Sequence, residues 1–577
     1  MNDTTAAAAS LGDWLKPAGR RAWPAALKSP LVIALIAYVA LALVLLPGYL
    51  SFYYKDEIAY VAAAERYARG EFATAPNSLW GPLISWLVAL PLSLGLSSIV
   101  AARTVSILAG AGTLWSARRL GNTLQLRNGV QLVFLLTLVP YLVHYALFGV
   151  SDDLSLTALL VLYFSVIFDP RYPDRRYSGL LCGLLGGFAY YAKGFGLGFF
   201  LVHFAVCNAV HWIAHSEAET RKKVMRQFAS GLALFAVLAA LWVGALYQKY
   251  GTVSVGITGQ YNHQIRAPDS QGRPTEFIGF VEPPKATTVS IWEDPAYLYD
   301  LPAARACCLK PWSAFSSATA FRHQLLLFRL NLGRTLMVFV AYSPLTLAVA
   351  FAALGYCFAP FWPAKRRKRG SPASQSARDS LDEALAKVRH ALVEKRRLVP
   401  ALMLLTIVIY PIPYTLVFSD ERFFWPVLIV VLGLGFYLLQ LFASEYAVSG
   451  RAKAWLIGVF AASFLLFPAY KLTAGQKDRS SLASISRQLE GAHLSGTRFA
   501  SNSDYGASMV VGYYLNAKYY GSAVPGMSDE EIADDLRRKG VQYYFVWGAP
   551  ADPHPGMTLV RTMQADYRKL AVYRVQS

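Results

Sequence analysis

The chain has 577 residues, 55% of them hydrophobic and only 16% charged, with a mean hydropathy of +0.35. This excludes an ordinary soluble enzyme. Many apolar stretches reach the roughly 20 residues that carry a helix across a bilayer, where the backbone must satisfy its own hydrogen bonds.

The formal charge of +20 does not point to nucleic acid. Basic residues cluster between apolar runs, above all at Lys365 to Arg369 and Lys395 to Arg397, as the positive-inside rule places them in cytoplasmic loops. The five cysteines (Cys182, Cys207, Cys307, Cys308 and Cys357) are too scattered for a disulfide framework, and none stands at metal-ligand spacing. The adjacent Cys307 and Cys308 read as packing residues. The chain is expected to be a polytopic α-helical membrane protein with no metal site evident in its sequence.

Residues 1–30 carry Lys16, Arg20, Arg21 and Lys28 and are expected in the cytoplasm; the first apolar run starts near Pro30, is long and lacks a small-residue cleavage site, unlike a cleaved signal peptide. A span at about 31–50 delivers Asp56-Glu57 to the outer face. Residues 62–70 read as a short amphipathic helix closed by Gly70 and lying in the interface. The stretch 82–96 is broken by Pro82, Pro91 and Gly95 and is expected to be interfacial or partly inserted. Counting it as a full span would invert every later loop.

Further spans follow at about 99–117, 129–149, 154–168, 178–192, 195–213, 228–247, within 330–361, 398–418, 424–443 and 455–472, about eleven in all. The transmembrane domain is thus 31–474, with outer loops 51–98 and 248–325 and a basic cytoplasmic loop 363–397. Residues 475–577 regain polar character and read as a small extracytoplasmic α/β domain. Its expected strands lie near 497–500, 518–520 and 541–546, and an expected helix at 529–539 carries acids in its first turn and bases in its last.

On this topology three acidic motifs emerge on one face: Asp56-Glu57, Asp152-Asp153 and Asp420-Glu421-Arg422, with Lys193 beside them. Any one alone is explained as solvated carboxylates. Three together, near membrane depth, point to a substrate path or reaction centre. A carboxylate among them could act as a general base, and Lys193 or Arg422 could neutralise a phosphate. Paired acids could also hold a divalent cation, although their spacing requires none. In 248–325, Tyr261, His263, Arg266, Arg273, Trp292 and Tyr297 combine aromatic platforms with cations. They read either as acceptor-selecting residues or as an ordered loop packing on the C-terminal domain.

Asp56-Glu57-Ile58-Ala59-Tyr60 followed by Ala68-Arg69-Gly70 resembles the first outer loop of the GT-C glycosyltransferases, in the branch of protein O-mannosyltransferases and the aminoarabinose transferase of lipid A. Trp80-Gly81-Pro82 and Ala101-Ala102-Arg103 fill the places of that family's Pro-rich stretch and span-opening Arg. Asp152-Asp153, Ala192-Lys193-Gly194 and Glu421-Arg422-Phe423-Phe424-Trp425-Pro426 resemble its later motifs. One departure is Leu79-Trp80-Gly81-Pro82, where members commonly carry Lys or His before a double Pro.

The resemblance implies inverting transfer of a sugar from a polyprenyl-phosphate donor at the outer face of a bacterial inner membrane. The implied acceptor is a glycolipid, lipopolysaccharide or other envelope glycan. It implies Asp56 as general base, with Glu57 and Asp152 or Asp153 orienting the acceptor or sugar. Lys193, Arg422 and Arg103 would meet the donor phosphate, and Tyr60 and Glu421 would line the substrate. No cofactor is implied as certain. The alternatives are a transporter or flippase of a lipid-linked sugar, which should show inverted repeats, and a protein O-glycosyltransferase.

Overall fold

A computed structural model describes residues 29–576 except 52, 151, 269–277, 359–391, 393–396, 447, 475–480, 549–553 and 566–567. The expectations for residues 1–28 and for nearly all of 363–397, and the cation at Arg273, lie outside the described residues. The apolar runs fold as helices: α1 (Pro30–Leu45), α2 (Lys55–Ala68), α3 (Pro82–Ser93), α4 (Ser98–Thr123), α5 (Asn128–Phe148), α6 (Asp152–Ile167), α7 (Ser178–Ala192), α8 (Phe195–Ala214) and α9 (Ala218–Tyr250). After the short α10 (Thr258–Gln264) and α11 (Pro302–Cys307) come α12 (Ala318–Tyr342), α13 (Leu345–Phe358), α14 (Leu398–Ile409), α15 (Ile412–Val417), α16 (Trp425–Glu445) and α17 (Gly450–Ala474).

Among the described residues nine helices are long and apolar enough to cross a membrane, accompanied by three shorter apolar ones. One of the short ones is α3. Its 12 residues span about 18 Å, too little to cross, and it packs on α2, α4 and α7. The backbones of α7 and α9 touch through glycines. A Cβ on Gly179 would stand 2.0 Å from the Gln227 carbonyl oxygen, and one on Gly183 2.1 Å from that of Gly231. Small residues permit this approach where lipid offers no hydrophobic drive for helix association.

Three expectations need correction. The helix expected at 62–70 begins at Lys55, so Asp56 and Glu57 form its first turn, where the helix dipole favours carboxylates. The single span within 330–361 is two helices parted at Ser343-Pro344, because Pro344 has no N–H to continue the ladder. Of these, α12 is held alongside 416–421: Gln324 donates to the Leu416 carbonyl at 2.7 Å, Thr335 meets Ser419 at 2.8 Å, and Tyr342 Oη donates to the Glu421 carbonyl at 2.8 Å. Finally, Cys307 and Cys308 are joined in a disulfide rather than being independent packing residues. The chain leaves α11 at Cys308, which is buried while Cys307 is exposed.

The C-terminal domain is a five-stranded sheet of β1 (Arg498–Ser501), β2 (Lys518–Ser522), β3 (Tyr543–Trp547), β4 (Met557–Ala565) and β5 (Arg568–Val575), in the order β2-β1-β3-β5-β4. β1 pairs parallel with β2 and β3, whereas β3, β5 and β4 pair antiparallel. The expected strands and helix coincide with β1, β2, β3 and α20 (Asp529–Arg538); α18 (Ser481–Glu490), α19 (Tyr505–Tyr514), β4 and β5 were not anticipated. α19 lies against α2. Tyr513 Oη donates to Glu65 at 2.6 Å, Tyr514 Oη donates to the Ser51 carbonyl at 2.9 Å, and Tyr53 packs edge-on against both tyrosines.

Replacing Gly183 by Leu should force α7 and α9 apart. Overpacking of this kind costs about 1–3 kcal/mol, so the purified variant should unfold at lower temperature than the parent. An unchanged midpoint would show that the two helices do not depend on this contact.

Candidate active site

Adjacent residues on a helix point about 100° apart, and this separates the acidic pair at the start of α2. Glu57 turns inward and is fully buried. It forms a bidentate pair with Arg103 of α4, itself 1% exposed, whose Nη2 donates to Oε2 at 3.3 Å. The Val150 N–H donates to Oε1 at 3.1 Å, and the Tyr54 N–H donates to Oε2 at 3.2 Å. Glu57 therefore ties together the entry to α2, the body of α4 and the joint between α5 and α6. Arg103, expected at a donor phosphate, is committed to Glu57 instead.

Asp56 turns outward and is half-buried. Arg422 Nη2 donates to its Oδ2 at 3.0 Å, and the Arg422 Nε lies 3.6 Å from Asp153 Oδ2. Lys193 Nζ lies 2.5 Å from Asp153 Oδ1 and 3.7 Å from Asp152 Oδ2. The result is an alternating row, Asp56–Arg422–Asp153–Lys193–Asp152. Three of its members come from helix ends: Asp152 and Asp153 open α6, and Lys193 follows the last turn of α7 in extended conformation. The Lys193 ammonium also lies 4.2 Å from the centre of the Phe423 ring.

Tyr60, one turn after Asp56, is buried, and its hydroxyl finds no hydrogen-bond partner among the described residues. Burial, with the charges of Asp152, Asp153 and Asp56 nearby, holds this phenol well above its usual pKa. It is thus a neutral donor next to the carboxylates. Burial and the adjacent Asp56 likewise push Tyr54 up to about 12.

Residues 77–81 lie on the end of α7, next to this row. A Cβ on Gly81 would stand 2.3 Å from the Ala192 carbonyl oxygen, so only glycine lets residues 77–81 lie on the end of α7 beside Lys193. Asn77 caps the turn by accepting from the N–H groups of Leu79 and Trp80 at 2.9 and 3.1 Å. Sequence reasoning did not mark Gly81 as a site-building residue; its signal was a glycine immediately before a helix-opening proline.

A cavity of about 640 Å³ opens between this end of the bundle and the C-terminal domain. It is lined by Tyr54, Glu421, Arg422 and Trp425 from the helices and by Asp504 and Arg568 from the domain, with Lys55 and Lys471 at its wall. Glu421 is held by Lys471 at 2.8 Å. Lys55, Lys471 and Arg568 were missed, since no pattern in the sequence links α2, the end of α17 and β5.

The remaining expected residues make contacts of their own outside the ion pairs of the row. His263 stacks on Trp312 at 4.1 Å, and Arg266 lies 4.1 Å over Phe418. Burial and the nearby Arg334 lower the Arg266 guanidinium to about 10, so it stays cationic at neutral pH. Burial draws His263 below its ordinary value, with His323 adding to the effect. Tyr261 packs with the cluster that joins α2 to the C-terminal domain. Trp292 packs on Tyr505 of α19. Among the described residues no group of three or more His, Cys, Asp or Glu side chains could hold a metal ion.

No family model and no curated protein matches the chain. The fold is similar to solved structures of membrane glycosyltransferases of the GT-C class. One is ArnT from Cupriavidus metallidurans in the apo state, at 14% identity over 93% of this chain and 97% of that one, with a TM-score of 0.47; ArnT has also been solved bound to undecaprenyl phosphate. Another is the Archaeoglobus fulgidus oligosaccharyltransferase in the apo form, at 12% identity over 89% and 69% of the two chains, with a TM-score of 0.48. A third is the S. cerevisiae protein O-mannosyltransferase Pmt1-Pmt2 complex bound to the sugar donor, at 18% identity over 44% and 38%, with a TM-score of 0.31. At such values the chemistry has to be read from this chain's own residues.

The two carboxylates of the pair should part company on mutation. Arg103→Met leaves Glu57 buried and unpaired, which costs about 3–5 kcal/mol, so the variant should melt well below the parent. Asp56→Asn, at a half-buried position, should melt close to it. Equal melting of the two variants would contradict the division of labour.

Proposed function

We propose that the chain is a membrane glycosyltransferase that moves a sugar from a polyprenyl-phosphate donor to an envelope glycolipid or lipopolysaccharide acceptor, with inversion at the anomeric carbon. The observation that carries this reading is the alternating row of Asp56, Arg422, Asp153, Lys193 and Asp152, which meets a cavity of about 640 Å³ at Arg422. A phosphate-bearing sugar needs two things from a site: cations for the departing phosphate and a base for the incoming hydroxyl. The row offers both within a few ångströms.

In this mechanism Asp56 accepts the proton of the acceptor hydroxyl as its oxygen attacks the anomeric carbon from the face opposite the phosphate. The bond from that carbon to the phosphate oxygen breaks, and its electron pair leaves with polyprenyl phosphate. Lys193 and Arg422 neutralise the leaving group; charge-assisted bonds to phosphate are among the strongest a protein makes. Arg422 engages only Oδ2 of Asp56 among the described contacts, so Oδ1 is open to the hydroxyl. A phosphate drawn to Arg422 would also loosen its hold on Asp56. Asp152 and Asp153 fix Lys193, and Tyr60 donates to the sugar or acceptor. Glu57 and Arg103 act as positioning residues. The C-terminal domain and the described parts of 248–325 close the acceptor side, with Glu421, Tyr261, His263 and Arg266 around the approach.

Purified full-length protein, incubated with a radiolabelled polyprenyl-phosphate sugar and an envelope lipid fraction, should move label to the acceptor and release polyprenyl phosphate. Loss of a positioned base typically costs about 10²–10⁴-fold, so Asp56→Asn should lose that much of the turnover. Full activity in Asp56→Asn would remove the base from the mechanism. Label that only crosses a vesicle unchanged would instead support transport of a lipid-linked sugar.

A further inference from the structure

A larger cavity, about 990 Å³, lies at the other end of the bundle. It sits where α6 ends and α7 begins, separated from Asp152 by the 16 residues of α6, about 24 Å of helix. Nothing in the proposed transfer reaction uses it. Its rim carries Arg119 from α4 and Arg171, Arg175 and Arg176 from the joint between α6 and α7, against one carboxylate, Asp169. Asp169 is held by Arg175 at 2.7 Å and by Arg171 at 3.4 Å, so the rim keeps three positive charges in excess. Arg119 and Arg176 form no ion pair among the described residues, and both are exposed.

The wall below this rim is apolar. Leu180, Leu181 and Leu184 of α7 line it and are each between 36% and 39% exposed. Their spacing places them on one side of the helix, as a stripe running from the arginines toward the middle of the bundle. Basic residues that only set membrane orientation need neither a cavity nor an apolar stripe. A free phosphate would have no use for the stripe. A phosphodiester with acyl chains has use for both, and basic pockets between membrane helices are suited to such headgroups.

We propose that this cavity binds the headgroup of an anionic phospholipid of the surrounding bilayer, its phosphodiester at the arginines and an acyl chain along Leu180, Leu181 and Leu184. The site is independent of the sugar-transfer reading.

Native mass spectrometry of the full-length protein, exchanged into detergent with phosphatidylglycerol or phosphatidylcholine of the same chains, tests this. Phosphatidylglycerol should remain bound under activation that strips phosphatidylcholine. Arg119→Gln/Arg176→Gln should weaken its retention roughly tenfold or more, from two charges removed at a membrane surface, while Arg119→Lys/Arg176→Lys should keep most of it. Equal retention of the two lipids, or equal retention by the parent and the glutamine variant, would overturn the site. So would displacement of the lipid by millimolar inorganic phosphate, which would make the ligand a free anion. Should the glutamine variant fail to fold, the lipid comparison and the phosphate competition on the parent still decide.

Discussion

The geometry of the candidate site depends on one buried ion pair. Taking a carboxylate and a guanidinium out of water costs several kcal/mol for each, and their attraction offsets this only when the geometry is bidentate and the remaining lone pairs are filled. Glu57 and Arg103 meet both conditions, with the N–H groups of Tyr54 and Val150 occupying the carboxylate further. The pair fixes the rotation of α2 about its axis. Because Asp56 is the next residue on the same turn, that rotation aims it at Arg422.

From there the site is a problem in balancing charge at low dielectric. Three carboxylates and two cations lie in a row with little access to water, and each inner group has opposite charges on both sides. Removing one cation would leave a nearly buried carboxylate uncompensated; Lys193 is held between the start of α6 and the Phe423 ring, and Gly81 lets residues 77–81 lie on the Ala192 carbonyl next to it. A second set of buried charges does comparable work for the outer segment. Lys249 pairs with Asp294 at 2.6 Å and Arg66 lies 3.6 Å from Glu293, all four nearly or fully buried. They fasten residues 281–301 to α2 and α9, and this segment in turn carries the C-terminal domain, whose β2 is bonded through Tyr519 and Tyr520 to Val289 and Val281.

Much of this was legible in the sequence because the bilayer imposes simple rules. Apolar runs have to be helices, and the order and shared face of the acidic motifs already group Asp56, Asp153, Lys193 and Arg422. What stayed hidden was set by tertiary contact. Nothing local distinguishes Glu57 from Asp56; only the partner Arg103, 46 residues away, decides which of the two is inside. The lie of α12 follows from its bonds to 416–421, and its composition reads equally well as a span. β4 is an edge strand with most of its residues exposed, so it lacks the apolar run that marks β3.

The mechanism proposed for this site gives the donor phosphate to Lys193 and Arg422 and the acceptor hydroxyl to Asp56. Its most direct test is an experimental structure of the full chain with polyprenyl phosphate. The phosphate should sit within hydrogen-bond distance of both cations, with the Arg422 to Asp56 contact opened. A phosphate bound elsewhere, with the carboxylate row undisturbed, would contradict the account.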